Sequence, residues 1–291
     1  MAGVALRSEI YDPALIRRVA VLADSSEVDS IWYPDVKYDA IELAALTLAS
    51  TRRVVVGTGV IRLLEHDPDQ VSRRAYLLNS WSAGRFVLGV GTGANLGARS
   101  VQALVAAHEK LRSAYPGSTK PVVVYSALRQ GMYRAALSGA DGVLFNFCSP
   151  AYLRRLLDKY PPRPSFLTAV YIKAFYSENS ALAKKMLVEE FRRYAQYPHY
   201  ARMFLEMGVE PAVASLREEL PVPPELQDVV LLNPTVNELA ELIKKFRDAG
   251  VNLPVVYPYI FGDDDEKLRH FGEIFQSLAP FSGYPWKGER A

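Results

Sequence analysis

Two glycine triplets end runs of β-branched and apolar residues: Gly57-Thr58-Gly59 after Val54-Val55-Val56, and Gly91-Thr92-Gly93 after Phe86-Val87-Leu88-Gly89-Val90. A backbone without Cβ atoms lets a flat ring system approach closely and tolerates unusual peptide geometry. Neither triplet is a dinucleotide fingerprint, because no third glycine opens a helix at the required spacing and no acidic ribose ligand follows. Asp35 closes a third apolar run, Ser30-Ile31-Trp32-Tyr33. A carboxylate there can accept a proton, hold a cofactor edge, or cap the helix that follows.

Other chemistries find little support. His66 and His108 have no partner at metal-ligand spacing, so no metal site is expected. A G-x-S-x-G elbow and a P-loop are both missing, which argues against acyl hydrolysis by a nucleophilic serine and against nucleoside triphosphate chemistry. Cys148 follows an apolar run among aromatics and reads as a small packed hydrophobe.

The bulk composition narrows the class further. The chain has 291 residues, 49% hydrophobic and 23% charged, with a formal net charge of +2 and a pI near 8.5. That balance suits an ordinary globular protein and is too mild for a dedicated nucleic-acid or membrane-surface binder. The pairs Arg154-Arg155 and Arg192-Arg193 sit among Leu, Tyr and Phe at helical spacing, as the solvated edges of packed helices do. One cysteine permits no intrachain disulfide, and the amino terminus does not read as a secretory leader, so the expected compartment is the cytoplasm. No apolar run reaches the roughly 18 to 20 residues needed to cross a bilayer.

The elements that must position these residues alternate regularly. Strands are predicted at Gly3 to Leu6, Ser30 to Tyr33, Val54 to Val60, Arg85 to Gly91, Pro121 to Tyr125, Asp141 to Phe145, Phe166 to Phe175 and Pro254 to Tyr257, each followed by helical periodicity. Asp12-Pro13 and Asp67-Pro68 are helix-start signals. Eight βα units in a chain of this length predict a single-domain (β/α)8 barrel over residues 1–291, with its active site at the carboxyl ends of the strands. A mostly helical stretch at 177–224, broken at Pro198, Gly208, Pro211 and Pro221 to Pro224, reads as an insertion before the last strand that covers one barrel end. Its stripe of Leu187, Phe191, Tyr194, Tyr197, Tyr200 and Phe204 reads as packing.

Several segments resemble, in order, the bacterial-luciferase-like flavin and deazaflavin enzymes, and within them the coenzyme F420-dependent methylenetetrahydromethanopterin reductases. These are Ile31-Trp32-Tyr33-Pro34-Asp35, Val56-Gly57-Thr58-Gly59-Val60, and Pro68 with Gly84-Arg85-Phe86-Val87-Leu88-Gly89-Val90-Gly91-Thr92-Gly93. Ala140 to Asn146, Asn233-Pro234-Thr235 with Ala249-Gly250-Val251, and Tyr259 to Asp263 continue the likeness. The resemblance implies a hydride-transferring oxidoreductase with coenzyme F420, or alternatively an FMN-dependent monooxygenase or a cofactor-binding relative without catalysis. It also implies a nonprolyl cis peptide at Gly59-Val60, and a ring bound by Gly57, Thr58, Gly59, Val60, Gly91, Thr92, Gly93 and Asn146. A phosphate tail would lie near Ser126, Ala127, Leu128 and Arg129, with Arg129 pairing it, and Asp35 is the catalytic candidate. The family's acidic positions on the first strand and after the second glycine triplet are Ala5 and Ala94 here, and Val36 stands where related enzymes carry His. A small-molecule substrate and a homo-oligomer are implied, with the small-residue face of Ala40, Leu43, Ala44 and Thr47 a candidate contact surface.

Overall fold

In the computed structural model, the described residues are 1–93, 99–115 and 120–283; Ala94 lies outside them. In chain order the elements are β1 (Gly3–Ala5), α1 (Pro13–Ser25), β2 (Ser30–Tyr33), α2 (Ala40–Ser50), β3 (Val55–Thr58), β4 (Ile61–Arg62), α3 (Pro68–Trp81), β5 (Phe86–Gly91), α4 (Ser100–Ser113), β6 (Val122–Ala127) and α5 (Gln130–Gly139). The second half holds β7 (Gly142–Asn146), α6 (Pro150–Lys159), β8 (Leu167–Tyr176), α7 (Ser180–Ala195), α8 (Pro198–Met207), α9 (Glu210–Ser215), β9 (Val230–Leu232), α10 (Val236–Asp248), β10 (Leu253–Ile260) and α11 (Asp264–Leu278).

The parallel order β1-β2-β3-β5-β6-β7-β8-β10 closes on itself where β10 pairs with β1, which makes a (β/α)8 barrel. Both faces of every barrel strand are buried, so these strands read as continuous apolar runs rather than alternating ones. Helix starts follow the local chemistry read from the sequence: Asp12, Asp39, Asp67, Ser149 and Asp263 each accept from a first-turn amide, and Pro13, Pro68 and Pro150 occupy the first turn. Helices α7, α8 and α9 lie between β8 and the last strand, where the helical stretch was expected. No helix among the described residues is long and apolar enough to cross a membrane.

Packing inside the barrel sets small residues against large ones. A Cβ on Gly57 would lie 2.6 Å from the Trp32 ring, and one on Gly59 would fall on the Tyr171 hydroxyl reaching over from β8. Tyr171 donates to the Gly59 carbonyl at 3.1 Å and meets Tyr257 edge-on at 4.8 Å. Phe175 and Tyr259 stack at 4.3 Å. Gly57 and Gly59 therefore leave room for the rings of Trp32 and Tyr171, while Gly89 and Gly91 of β5 pack closely on Thr58, Val60 and Ser126.

Four sequence expectations change. The third strand stops at Thr58; Gly59-Val60 is a cis peptide, as the resemblance implies, and Ile61–Arg62 then forms a separate short strand beside β5. The fifth strand runs on to Ala127, so Ser126 and Ala127 lie in β6 rather than in a turn. Val230–Leu232 forms a strand along β8, too short to show a period of its own. The face of Ala40, Leu43, Ala44 and Thr47 packs inward and is buried, so it is not a contact surface; Leu46 is the exposed residue of that turn.

Overpacking a filled core typically costs 1–3 kcal/mol. Gly57→Ala is therefore expected to lower stability by about 2 kcal/mol in urea unfolding with an unchanged m-value. Gly131→Ala, in α5 with open space at its Cβ position, is expected to gain up to about 1 kcal/mol in the same assay.

Candidate active site

At the carboxyl ends of the strands the structure gathers part of the expected cofactor set. A Cβ on Gly91 would meet the Ser126 hydroxyl at 2.5 Å and the Val60 side chain at 2.8 Å, and Leu144 touches the space beside Gly59. Gly59, Val60, Gly91 and Ser126 are thus brought together, the glycines closely packed against Tyr171, Leu144, Val60 and Ser126. Thr92 and Gly93 follow; Gly93 has φ of 75° and faces Glu65. On the next strand, Asn146 donates from Nδ2 to the Tyr200 hydroxyl at 2.7 Å, while its Oδ1 is a buried acceptor with no partner among the described residues.

Other expected residues serve the barrel itself. Thr58 is fully buried, donating to the Gly89 carbonyl and accepting from the Gly89 amide, both at 2.9 Å, so its hydroxyl ties β3 to β5. Gly57 sits against Trp32 inside the wall. Leu128 and Arg129 mark the start of α5, where the Leu128 carbonyl accepts from the Tyr152 hydroxyl and Arg129 pairs with Glu206 of α8 at 3.2 Å. The position expected to hold a phosphate is therefore already engaged with a carboxylate. Asp35 accepts from the Ala40 amide at 3.3 Å and stands 3.5 Å from His66 Nε2, so it supports the start of α2 from the mouth of the barrel.

His108 and Cys148 are packed groups. Burial and the nearby Arg112 lower His108 to about 4, so the ring is neutral, with Nδ1 against the Tyr125 hydroxyl at 2.6 Å. Burial pushes the Cys148 thiol up, away from the thiolate that nucleophilic attack needs.

The sequence reading missed a charged cluster under the helical cover. Lys173, in β8, is fully buried. Its Nζ lies 4.1 to 5.0 Å from the ring centroids of Phe147, Tyr194, Tyr257 and Tyr259. It donates to the Tyr259 hydroxyl at 2.7 Å and to Glu190 of α7 at 3.2 Å. Tyr259 in turn donates to Glu190, and Arg7 reaches the Tyr259 hydroxyl at 3.0 Å and Glu190 at 3.4 Å. Arg193 pairs with the other Glu190 oxygen, and Glu9 closes the outer side of Arg7. Arg7, Glu190 and Tyr259 also line a cavity of about 640 Å³ between the ends of β1 and β10 and helix α7. A lysine inside the otherwise apolar run Phe166 to Tyr176 was the available signal.

Burial pulls Lys173 down to about 7 from its ordinary 10.5, against the opposing pull of Glu190. Burial alone would raise Glu190, but Lys173, Arg7 and Arg193 outweigh it and hold the carboxylate below its usual range.

With the geometry in place, the chain can be set beside known proteins. Residues 2–112 match the sequence profile of the luciferase-like monooxygenases. The 4-hydroxyprotoasukamycin monooxygenase of Streptomyces nodosus subsp. asukaensis is 49% identical over 53 residues, a match covering 18% of this chain and 14% of that enzyme. An F420-dependent secondary alcohol dehydrogenase, solved with an F420-acetone adduct, superposes with a TM-score of 0.76 at 15% identity over 97% of this chain and 98% of the other. The coenzyme F420-dependent tetrahydromethanopterin reductase of Methanopyrus kandleri gives 0.72 at 14% identity over 97% and 99%. The closed barrel defines a protein of the luciferase-like fold. Residues 2–112 resemble the luciferase-like monooxygenases in sequence, and nearly the whole chain shares the fold of the two solved F420-dependent enzymes.

Removing the carboxylate that three cations share is expected to cost about 3 kcal/mol, so Glu190→Gln should unfold correspondingly earlier in urea at pH 7. The pH sign follows from Lys173: between about 7 and 10.5 the unfolded chain binds the additional proton, so this group makes stability rise with pH across that window. Urea midpoints measured from pH 6 to 10 should show that rise in the native chain and a flatter profile in Lys173→Met.

Proposed function

We propose that this chain is an oxidoreductase that seats a flavin-type ring, in first place the deazaflavin coenzyme F420, beside Gly59, Val60, Gly91 and Gly93 and exchanges a hydride with a small molecule. The observation that supports this reading is Asn146 Oδ1 at the end of β7, a buried acceptor without a partner among the described residues, which suits a ring with a hydrogen-bond donor at its edge. When bound, such a ring supplies the two-electron acceptor or donor. The protein's part is to position the substrate and exclude water. Phe147, Phe191, Tyr194, Tyr200 and Phe204 form a contiguous aromatic layer under α7 and α8 that serves exclusion. Asp35 is the carboxylate at the mouth suited to hold the edge of the ring. Arg129 fits a phosphate tail once Glu206 yields it.

A second reading, an FMN-dependent monooxygenase, is favoured by the family profile over residues 2–112 and by the Streptomyces relative's activity.

Titrating the purified protein with oxidised F420 and, separately, FMN under fluorescence detection tests both. Micromolar or tighter binding of F420 with weaker FMN binding is expected; the reverse order would move the assignment to the monooxygenase, and binding of neither would remove both. If Arg129 takes the phosphate, Arg129→Ala should weaken F420 binding about tenfold and Glu206→Gln should tighten it, since a charge-assisted contact is worth about 1.5–3 kcal/mol. Asp35→Ala separates capping from chemistry: a residue that only supports α2 would lower the unfolding midpoint and leave ring affinity unchanged.

A further inference from the structure

The cavity of about 640 Å³ between the ends of β1 and β10 and helix α7 shares no lining residue with the strand-end glycines. Helix α7 gives its lining an order. Leu182, Met186, Glu189, Glu190 and Arg193 recur at helical spacing along one face, apolar toward the start of the helix and charged toward its end. Phe261 widens the apolar end, its amide donating to the carbonyl of Tyr176, the last residue of β8 before α7 begins.

At the charged end some groups are already engaged and others are not. Glu190 Oε1 accepts from Lys173, Arg7 and Tyr259, and Oε2 accepts from Arg193, so the protein itself occupies this carboxylate. Arg193 gives Glu190 one of its five N–H groups and makes no other hydrogen bond among the described residues. Glu189 stands one turn before Arg193, the arrangement in which a glutamate and a following cation pair on a helix surface. That pair is not made: Glu189 meets Lys185 at 3.9 Å, and Arg193 turns to Glu190. The cavity wall thus presents a carboxylate and a guanidinium, each with hydrogen-bonding capacity left, from Cβ atoms about 6 Å apart. Across the whole lining Arg7, Arg193 and Lys267 balance Glu9, Glu189 and Glu190, which favours an occupant carrying both signs over one with a net charge.

We propose that this cavity binds a free α-amino acid with a large apolar side chain, its carboxylate on Arg193, its ammonium on Glu189 and its side chain toward Met186, Leu182 and Phe261. Carboxylate and ammonium on one carbon can bridge two opposite charges a helical turn apart, whereas an acid or an amine alone leaves one of them unpaired. The planar fork of arginine takes a carboxylate through two parallel N–H groups. From Arg193 to Met186 the helix face offers about 10 Å, enough for an aromatic side chain laid along it. The cavity volume lies in the range of small-molecule sites. This site needs no bound ring and stands apart from the hydride reading.

Isothermal titration of the full chain with L-phenylalanine, 3-phenylpropanoate and 2-phenylethylamine tests the proposal. L-phenylalanine is expected to bind at one site with a Kd of about 1 mM or tighter, and each probe lacking one charge at least about tenfold more weakly. The two helix charges should separate the probes: Glu189→Gln should weaken L-phenylalanine and 2-phenylethylamine and spare 3-phenylpropanoate, while Arg193→Met should weaken L-phenylalanine and 3-phenylpropanoate and spare the amine. Glu189 is an exposed residue outside the buried cluster, so its variant carries the test even if Arg193→Met unfolds. Met186→Trp, which fills the apolar end, should abolish binding of all three. Absence of L-phenylalanine binding to the native chain overturns the proposal. So does 3-phenylpropanoate or 2-phenylethylamine binding as tightly as L-phenylalanine, or L-phenylalanine affinity unchanged in Glu189→Gln or in Met186→Trp.

Discussion

The interior of a closed parallel barrel has to be filled by side chains from its own strands, and in this protein the filling is lopsided. Trp32 from β2 and Tyr171 from β8 enter the interior, and the room they need exists because Gly57 and Gly59 have no Cβ there, while Tyr171 in turn packs edge-on against Tyr257. Tyr171 reaches over to the Gly59 carbonyl and fixes the two sides against each other. One constraint therefore carries through to the mouth, where the strand-end glycines are likewise packed against side chains of neighbouring strands.

Above that packing lies the helical cover, and its residues complete the barrel rather than merely roof it. Glu190 of α7 satisfies a lysine that β8 carries into the interior, and Tyr194, Tyr200 and Phe204 build the aromatic layer around it. Glu206 of α8 reaches back to Arg129 at the start of α5. The cover is thus joined to the barrel by charge pairs whose partners lie 17 and 77 residues apart in the chain. In low-dielectric surroundings such pairs hold only while every member stays satisfied.

Beneath α7 the described residues hold a compact charged cluster of Arg7, Lys173, Glu190 and Arg193. Hydride transfer asks mainly for orientation and dryness from the protein, whereas the accompanying proton needs a group that changes charge near neutral pH. Lys173 and Glu190 form a buried ion pair between β8 and α7.

Local chemistry made much of this legible in advance. Continuous apolar runs marked the parallel strands, Asp-Pro pairs marked helix starts, and the glycine triplets marked the mouth, because each of these signals acts between residues adjacent in the chain. Tertiary structure decided the rest. Asp35, Thr58 and Arg129 look alike as polar residues at strand ends, yet one supports a helix, one ties two strands together, and one is held by a distant glutamate. The cluster of Arg7, Lys173, Glu190 and Tyr259 spans more than 250 residues of sequence, and no periodicity links its members. Their meeting follows from barrel closure, which sets β10 between β1 and β8 and lowers α7 onto the opening, so the electrostatics of the site is a property of the closed fold.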